Sequence, residues 1–191
     1  MTHLYVGRIR VDKPGRYWLL AEPVGGTPIR ALGTIDVKSR SVSPALGARA
    51  YPSRTPTLAA VGGRAALITT RRPPDRALLR DSIAGSLASH APFVVVFATP
   101  KFCTSRACGP VVDVVDSVRK RFAGRGVRFI HVEIYRGNDS QNGLNRWVRE
   151  WCLPSEPWTF VVGRDGRIKA KFEGSVSAGE LASAVRILLT H

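Results

Sequence analysis

The stretch FVVVFATPKFCTSRACGP, residues 93–110, decides how the chain is read. Its apolar run Phe93–Phe97 is a strand that leads into a loop where an aromatic stands directly before a cysteine, Phe102-Cys103. A second cysteine, Cys108, precedes Gly109-Pro110 and a helix predicted over Pro110–Phe122. Proline is well tolerated in the first turn of a helix, and the free N–H groups there stabilise negative charge. Thiol–disulfide exchange needs one accessible sulfur held as thiolate and a second sulfur close enough to resolve the mixed disulfide. Lys101 and Arg106 add positive charge nearby. Four residues separate the two cysteines. In a continuous helix, positions i and i+5 lie about 140° apart, so a bridge with Cα atoms roughly 4.4–6.8 Å apart requires Cys103 on the loop before the helix.

Outward from this stretch the elements alternate. Asp75–Ser89 has Leu78, Leu79, Ile83 and Leu87 at helical spacing, with Asp75 as N-cap after two prolines. After the strand Phe93–Phe97 and the helix Pro110–Phe122 come strand Val127–Ile134, helix Leu144–Trp151, strand Trp158–Val162, a hairpin turn at Gly163–Gly166, strand Ile168–Phe172 and helix Ala178–Leu189. The order from Phe93 is β-α-β-α-β-β-α, with right-handed crossovers expected. Upstream, residues 1–40 read as short strands, Leu4–Val11, Arg16–Pro23 and Ile29–Val37, with turns at Lys13-Pro14-Gly15 and Gly25-Gly26. Three strands cannot bury two sheet faces where a sandwich needs about seven. This segment is therefore expected to be a short, incomplete β-sandwich-like piece. Residues 41–75, rich in Ser, Pro, Gly, Ala and Arg, read as linker and irregular cover, and 76–191 as the main domain.

Over roughly its last hundred residues the sequence resembles the thioredoxin-like family, and within it the redoxin-type domains that work outside the cytoplasm. The resemblance is carried by the element order, by Phe102-Cys103 and Cys108 after an apolar strand, and by Leu153–Val162 followed by Arg164-Asp165-Gly166-Arg167. It implies an α/β thioredoxin fold and a thiol–disulfide oxidoreductase acting on protein disulfides through Cys103 and Cys108. It also implies a cis-proline at Pro157 that lies across from the sulfurs and offers backbone to a substrate strand. Phe102, Glu156, Pro157 and Trp158 are then the substrate-binding residues. Protein thiols or disulfides and a redox partner protein are the implied partners, and neither a metal nor any cofactor beyond the cysteine pair is required. Cys103 occupies the place of the family's attacking cysteine and is expected to be the more exposed. Cys108 is expected to be more covered, to gain more from the helix dipole, and to act as resolver. A second alignment, in which Cys108-Gly109-Pro110-Val111 copies the start of the usual two-residue-spaced motif, makes Cys108 the attacking sulfur. The family's buried Asp near the end of the first core strand, which helps move the proton, has no counterpart at Val95-Val96; Glu156 is a candidate substitute, although it reads first as an exposed loop acid. Cys152, closing an apolar helix beside Trp151 and five residues before Pro157, is expected to be buried, with a role as third thiol near the site as the alternative.

Three other readings use the same residues. Pro100–Cys108 approaches a peroxiredoxin-like peroxidase pattern, but one residue out of register and with Pro157 where an arginine is needed. A Cu(I)-binding chaperone wants cysteines three apart and a histidine near the later hairpin, whereas His131 stands inside a strand as a core or surface imidazole. The third is a non-enzymatic thioredoxin-fold binding module with a structural Cys103–Cys108 bridge.

Composition narrows the field. The 191 residues are 44% hydrophobic, enough for a core of ordinary size. The net charge of +15 is spread along the chain, with 14 basic and 5 acidic residues in 1–90, and 15 and 9 in 91–191. Its densest cluster, Arg119-Lys120-Arg121 with Arg125 and Arg128, falls at a helix end where cations meet the dipole favourably, and a nucleic-acid partner is not expected. No apolar run approaches the roughly 20 residues that span a bilayer. The first residues show no leader pattern, so the start as given points to the cytoplasm, while the resemblance points to the cell envelope. The expectation is that upstream coding sequence continues the sandwich and begins with a leader or lipid anchor.

Overall fold

The structure is a computed structural model that describes residues 9–21, 25, 31–103 and 107–189. It divides into two units, Met1–Ser41 and Val42–His191. In the first, β1 (Gly15–Ala21) pairs antiparallel with β2 (Ala31–Val37), Gly15 opposite Val37. Arg16 and Asp36 face each other in this register and form an ion pair at 2.7 Å. Trp18 and Leu20, two residues apart and so on one face, are 70% and 60% exposed. Among the described residues this unit is a hairpin. Ile9–Val11, expected to end a first strand, lie outside any strand, and the rest of that strand and much of the second turn fall outside the described residues.

The second unit is built on a four-stranded sheet in the order β4 (Arg128–Val132), β3 (Phe93–Phe97), β5 (Trp158–Val162), β6 (Ile168–Glu173). β3 runs parallel to β4 and antiparallel to β5, and β5 pairs antiparallel with β6 through a turn where Gly166 takes φ +70°. The helices are α1 (Ile83–Ala88), α2 (Cys108–Arg121), α3 (Arg146–Glu150) and α4 (Ala178–Ile187). From β3 onward the order and pairing are those of the thioredoxin fold.

Side chains of β3 alternate between two cores, as the pleat requires. Val94 and Val96 pack with Val111, Val112 and Val115 of α2 and with Leu181 and Val185 of α4. Phe93, Val95 and Phe97 enter the opposite layer with Ile83, Ile130, Phe160 and Trp151. The Trp151 ring lies 5.1 Å from Phe97 and 4.8 Å from Phe160 between centroids. Its Nε1–H donates to Ser53 Oγ at 3.1 Å, and Ser53 in turn donates to Glu150. Residues 42–75 contain little regular structure yet belong to this unit. Ala50, Ala65 and Ile68 are buried, and Arg49 bridges to Arg167 at the start of the edge strand.

Two local expectations are corrected. The helix expected over Asp75–Ser89 is a 3₁₀ turn, Arg76–Leu79, followed by α1. Asp75 caps the first by accepting from Ala77 N–H and Ser82 caps the second by accepting from Gly85 N–H, while Thr55 Oγ1 takes the N–H of Ile83 at 3.1 Å. Two polar caps and a tertiary partner outcompete one continuous ladder. Cys152, expected to be buried, is exposed with φ +49°. It follows the helix cap Trp151, with its N–H on Arg149 O at 3.0 Å and the N–H of Leu153 on Val148 O at 3.1 Å. These two bonds form a Schellman ending, whose left-handed residue points outward while Leu153 returns to the core beside Val148. A side chain in this conformation costs roughly 1–2 kcal/mol, partly offset by glycine's greater unfolded-state freedom. Cys152→Gly is expected to gain about 0.5–1 kcal/mol, read as a rise of roughly 2 °C in thermal midpoint. A variant melting at or below the parent would contradict this account.

Candidate active site

Register places the two halves of the site together. Phe97 at the end of β3 is opposite Trp158 at the start of β5, so the loop after β3 and the Glu156-Pro157 segment before β5 leave the sheet side by side. The Glu156–Pro157 peptide is cis. Across β4, Ala98 N–H donates to Val132 O at 3.1 Å and carries the pairing one residue further. Its carbonyl is met by His131 Nε2 at 3.1 Å. His131 is buried, and burial lowers its pKa against the opposing pull of Glu133. The imidazole is therefore neutral. With its proton on Nε2, the ring donates to Ala98 O and accepts at Nδ1 from Thr69 Oγ1 at 3.3 Å, while Thr69 Oγ1 accepts from Arg71 N–H at 3.1 Å. Both ring nitrogens are satisfied, as the core reading of His131 required.

Beyond Ala98 the loop is held by a buried acid that sequence reasoning missed. Glu133 is 4% exposed, and its Oε2 accepts from the N–H and the Oγ1 of Thr70 at 2.7 and 2.8 Å. Thr70 Oγ1 then accepts from Lys101 N–H at 3.2 Å. Glu133 Oε1 is buried with no protein partner. The signal in the sequence was a lone carboxylate inside the apolar run Phe129–Ile134. Nothing comparable marks Thr70. Phe102, half-buried, meets the Tyr135 ring edge-on at 6.0 Å, with Lys101 Nζ 4.8 Å from its own ring centre.

Cys103 is half-buried and Cys108 is fully buried, both as free thiols. Cys108 is the first residue of α2, two earlier than predicted, and its backbone N–H donates to Cys103 Sγ at 3.3 Å. The helix terminus thus serves the sulfur on the loop. This corrects the expectation that Cys108 gains more from the dipole. Burial is the largest influence on the Cys108 thiol and drives its pKa far up, and its hydrogen bond to Cys103 and the charge of Glu156 add to that. A backbone hydrogen bond with Thr99 acts the other way and is outweighed.

Glu156, expected to be exposed, is half-buried, and its pKa is raised first by burial and then by the charge of Glu133. Tyr135 is raised by burial and then by Glu156 and the two cysteines, so these groups share one neighbourhood. Pro157 is buried, and its carbonyl accepts from Gly174 N–H at 2.8 Å. Trp158 departs from its expected place on the substrate face. It is 5% exposed, stacks on Phe160 at 5.6 Å and donates from Nε1 to Ser155 Oγ, because β5 side chains at this register point into the core. Among the described residues no three His, Cys, Asp or Glu side chains gather as metal ligands, and no helix is long and apolar enough to cross a membrane.

No protein-family model matches the chain, and no curated protein matches it. Solved structures similar to it include a thiol:disulfide interchange protein of the thioredoxin family from Chlorobium tepidum TLS, with 17% identity and a TM-score of 0.43 over 55% of this chain and 83% of that one. Chloroplastic thioredoxin z shares 15% identity at a TM-score of 0.44, covering 56% and 86%. MTB dsbF shares 19% at 0.40, covering 55% and 85%.

A raised thiol stays protonated, and only the thiolate alkylates. In the reduced protein, iodoacetamide is expected to modify Cys103 and the exposed Cys152 and to spare Cys108 up to about pH 10, where an ordinary thiol is ionised. Peptide mapping by mass spectrometry reads this directly. Labelling of Cys108 as fast as Cys103 would contradict the assignment of burial and charge.

Proposed function

We propose that this chain is a thiol–disulfide oxidoreductase acting on protein disulfides, with Cys103 as the attacking sulfur and Cys108 as the resolving one. The observation that carries the reading is the 3.3 Å hydrogen bond from the Cys108 N–H to Cys103 Sγ, made by a half-buried sulfur above a fully buried thiol. A donor fixed at a helix start favours the anion of the sulfur it reaches.

The reaction follows from that asymmetry. The Cys103 thiolate attacks one sulfur of a substrate disulfide, forming a mixed disulfide and expelling the other sulfur as thiolate. Cys108 then gives up its proton and attacks Cys103 Sγ, which breaks the mixed disulfide and releases the second substrate thiolate. Two electrons pass to the substrate, and the enzyme is left with a Cys103–Cys108 disulfide. A redox partner protein returns it to the dithiol, and the reversed sequence oxidises a dithiol substrate. No cofactor beyond the pair is needed for these steps.

Cys108 requires a proton acceptor because its thiol is raised. Glu156 suits this role, since a carboxyl raised by burial holds a proton better than an ordinary one. Among the described residues the backbone groups of Glu156 have no protein hydrogen-bond partner, whereas the Pro157 carbonyl is taken by Gly174. Glu156 is accordingly the residue whose main chain is available to a substrate strand. Pro157 sets the direction of that segment and Phe102 flanks the sulfur, while Trp158 acts only by anchoring β5 beneath them.

Trapping tests the assignment, with Cys152→Ser as the background in every arm. Incubated with insulin as a disulfide substrate, Cys108→Ser is expected to accumulate a mixed disulfide through Cys103, and Cys103→Ser to trap little. The unsubstituted pair should speed insulin reduction by dithiothreitol at least tenfold over either variant. Trapping through Cys108 would reverse the roles, and failure of both variants to trap would overturn the reading in favour of a structural pair.

A further inference from the structure

Beside the cysteine loop lies an open cleft of about 520 Å³, within the range of small ligand sites. Thr70 and Pro100 form part of its wall, Gly109 and Asp113 of α2 another, and Arg71, Arg72 and Lys101 supply its charge. Arg71 is occupied, its Nη2 bonded to Asp113 Oδ1 at 2.5 Å. Arg72 and Lys101 are exposed, and among the described residues neither pairs with a carboxylate. Three cations and one anion leave the cleft with an excess of two positive charges.

Glu156 and the buried Glu133 act on each other and on Tyr135, and Glu133 is tied to Thr70 behind the cleft wall, so neither carboxyl pairs with Arg72 or Lys101. Lys101 is two residues from Cys103, at most about 7 Å along the chain, so a residue one to three positions from a substrate's cysteine reaches the cleft.

We infer that the cleft lined by Arg71, Arg72 and Lys101 is a specificity site that selects protein disulfides with a carboxylate side chain within three residues of the reacting cysteine. The inference rests on the thiol–disulfide reading above and names its substrate class. A carboxylate placed there meets the field of two cations that no carboxylate of the described residues pairs. A basic neighbour to the cysteine meets those cations instead and is rejected.

The test uses short peptides whose single cysteine carries a neutral 2-thiopyridyl leaving group and is flanked by Asp, Asn or Lys. Release of thiopyridone by the reduced Cys108→Ser, Cys152→Ser protein gives a second-order rate constant for each peptide. At low ionic strength the Asp peptide is expected to react about tenfold faster than the Asn peptide and the Lys peptide slower still. The preference should shrink toward unity at 0.5 M salt, where screening acts over only a few ångströms. Arg72→Glu should abolish or invert the Asp:Asn ratio, whereas Arg125→Glu, the same charge change on an exposed residue beyond the far end of α2, should not. An Asp:Asn ratio near one, or equal loss in both variants, would overturn the cleft while leaving thiol exchange intact. Absence of reaction with every peptide would overturn the thiol–disulfide reading and the cleft with it. Glutathione disulfide, a small disulfide bearing carboxylates, is the last arm. If it reacts as fast as the Asp peptide and loses as much on Arg72→Glu, a small anionic disulfide is the substrate, and the assignment to a protein segment fails.

Discussion

Five consecutive side chains without solvent contact, Phe93–Phe97, set the terms for everything around them. A strand buried on both faces needs a layer on each side and a hydrogen-bonded neighbour at each edge. β4 and β5 supply the edges, α2 and α4 one layer, and the Trp151 cluster the other. Because β3 is pinned in this way, the position where it ends is pinned too. The chain must leave the sheet at Ala98, and the cysteine loop begins there. The placement of Cys103 therefore depends on apolar packing, and its own side chain rests against the cluster of Val94 and Val96.

Polar groups continue that control past the end of the strand. His131 holds the Ala98 carbonyl, and Glu133 reaches Lys101 through Thr70. Buried ionisable groups are expensive unless they are hydrogen-bonded. Here one is neutral and fully partnered, and the other spends one oxygen on Thr70 and leaves the second without a protein partner. These groups make the site electrically uneven. Glu133 and Glu156 act on each other and on Tyr135, while Arg72 and Lys101 of the neighbouring cleft pair with no carboxylate among the described residues.

The framework of the second unit was legible because its signals are local. The Val94-Val95-Val96 run, the helical spacing of Val111, Val112 and Val115, and the Gly-Arg-Asp-Gly turn each identify one element, and their order leaves few topologies. The placement of Cys103 on the loop before α2 and of Cys108 at its start was also legible, since the helix start follows from Gly109-Pro110. Burial of charge was not. Whether Glu156 is exposed depends on what β4 brings beside it, and Glu133 acquires meaning only through Thr70, 63 residues earlier. Cys152 was misjudged for a related reason. Its neighbours are apolar, but the helix ends one residue too soon for it to share their face. The break between Arg76–Leu79 and α1 likewise depends on Thr55, which no window of helical periodicity includes.

The pairing of β3 has a kinetic side. Its partner residues lie 35 positions away in β4, as in Phe93 with Arg128, and 61 to 69 positions away in β5, as in Phe97 with Trp158 and Phe93 with Val162. Contacts of such high sequence separation form late, because a long loop must close before they yield any stability. During synthesis both cysteines leave the ribosome well before Glu156 does. Until the C-terminal hairpin and α4 dock, Cys108 lacks Val161, Val176 and Leu181 of the cluster that buries it. The difference in burial between the two sulfurs is thus a property of the finished topology, and a nascent chain is open to wrong pairings before it is complete.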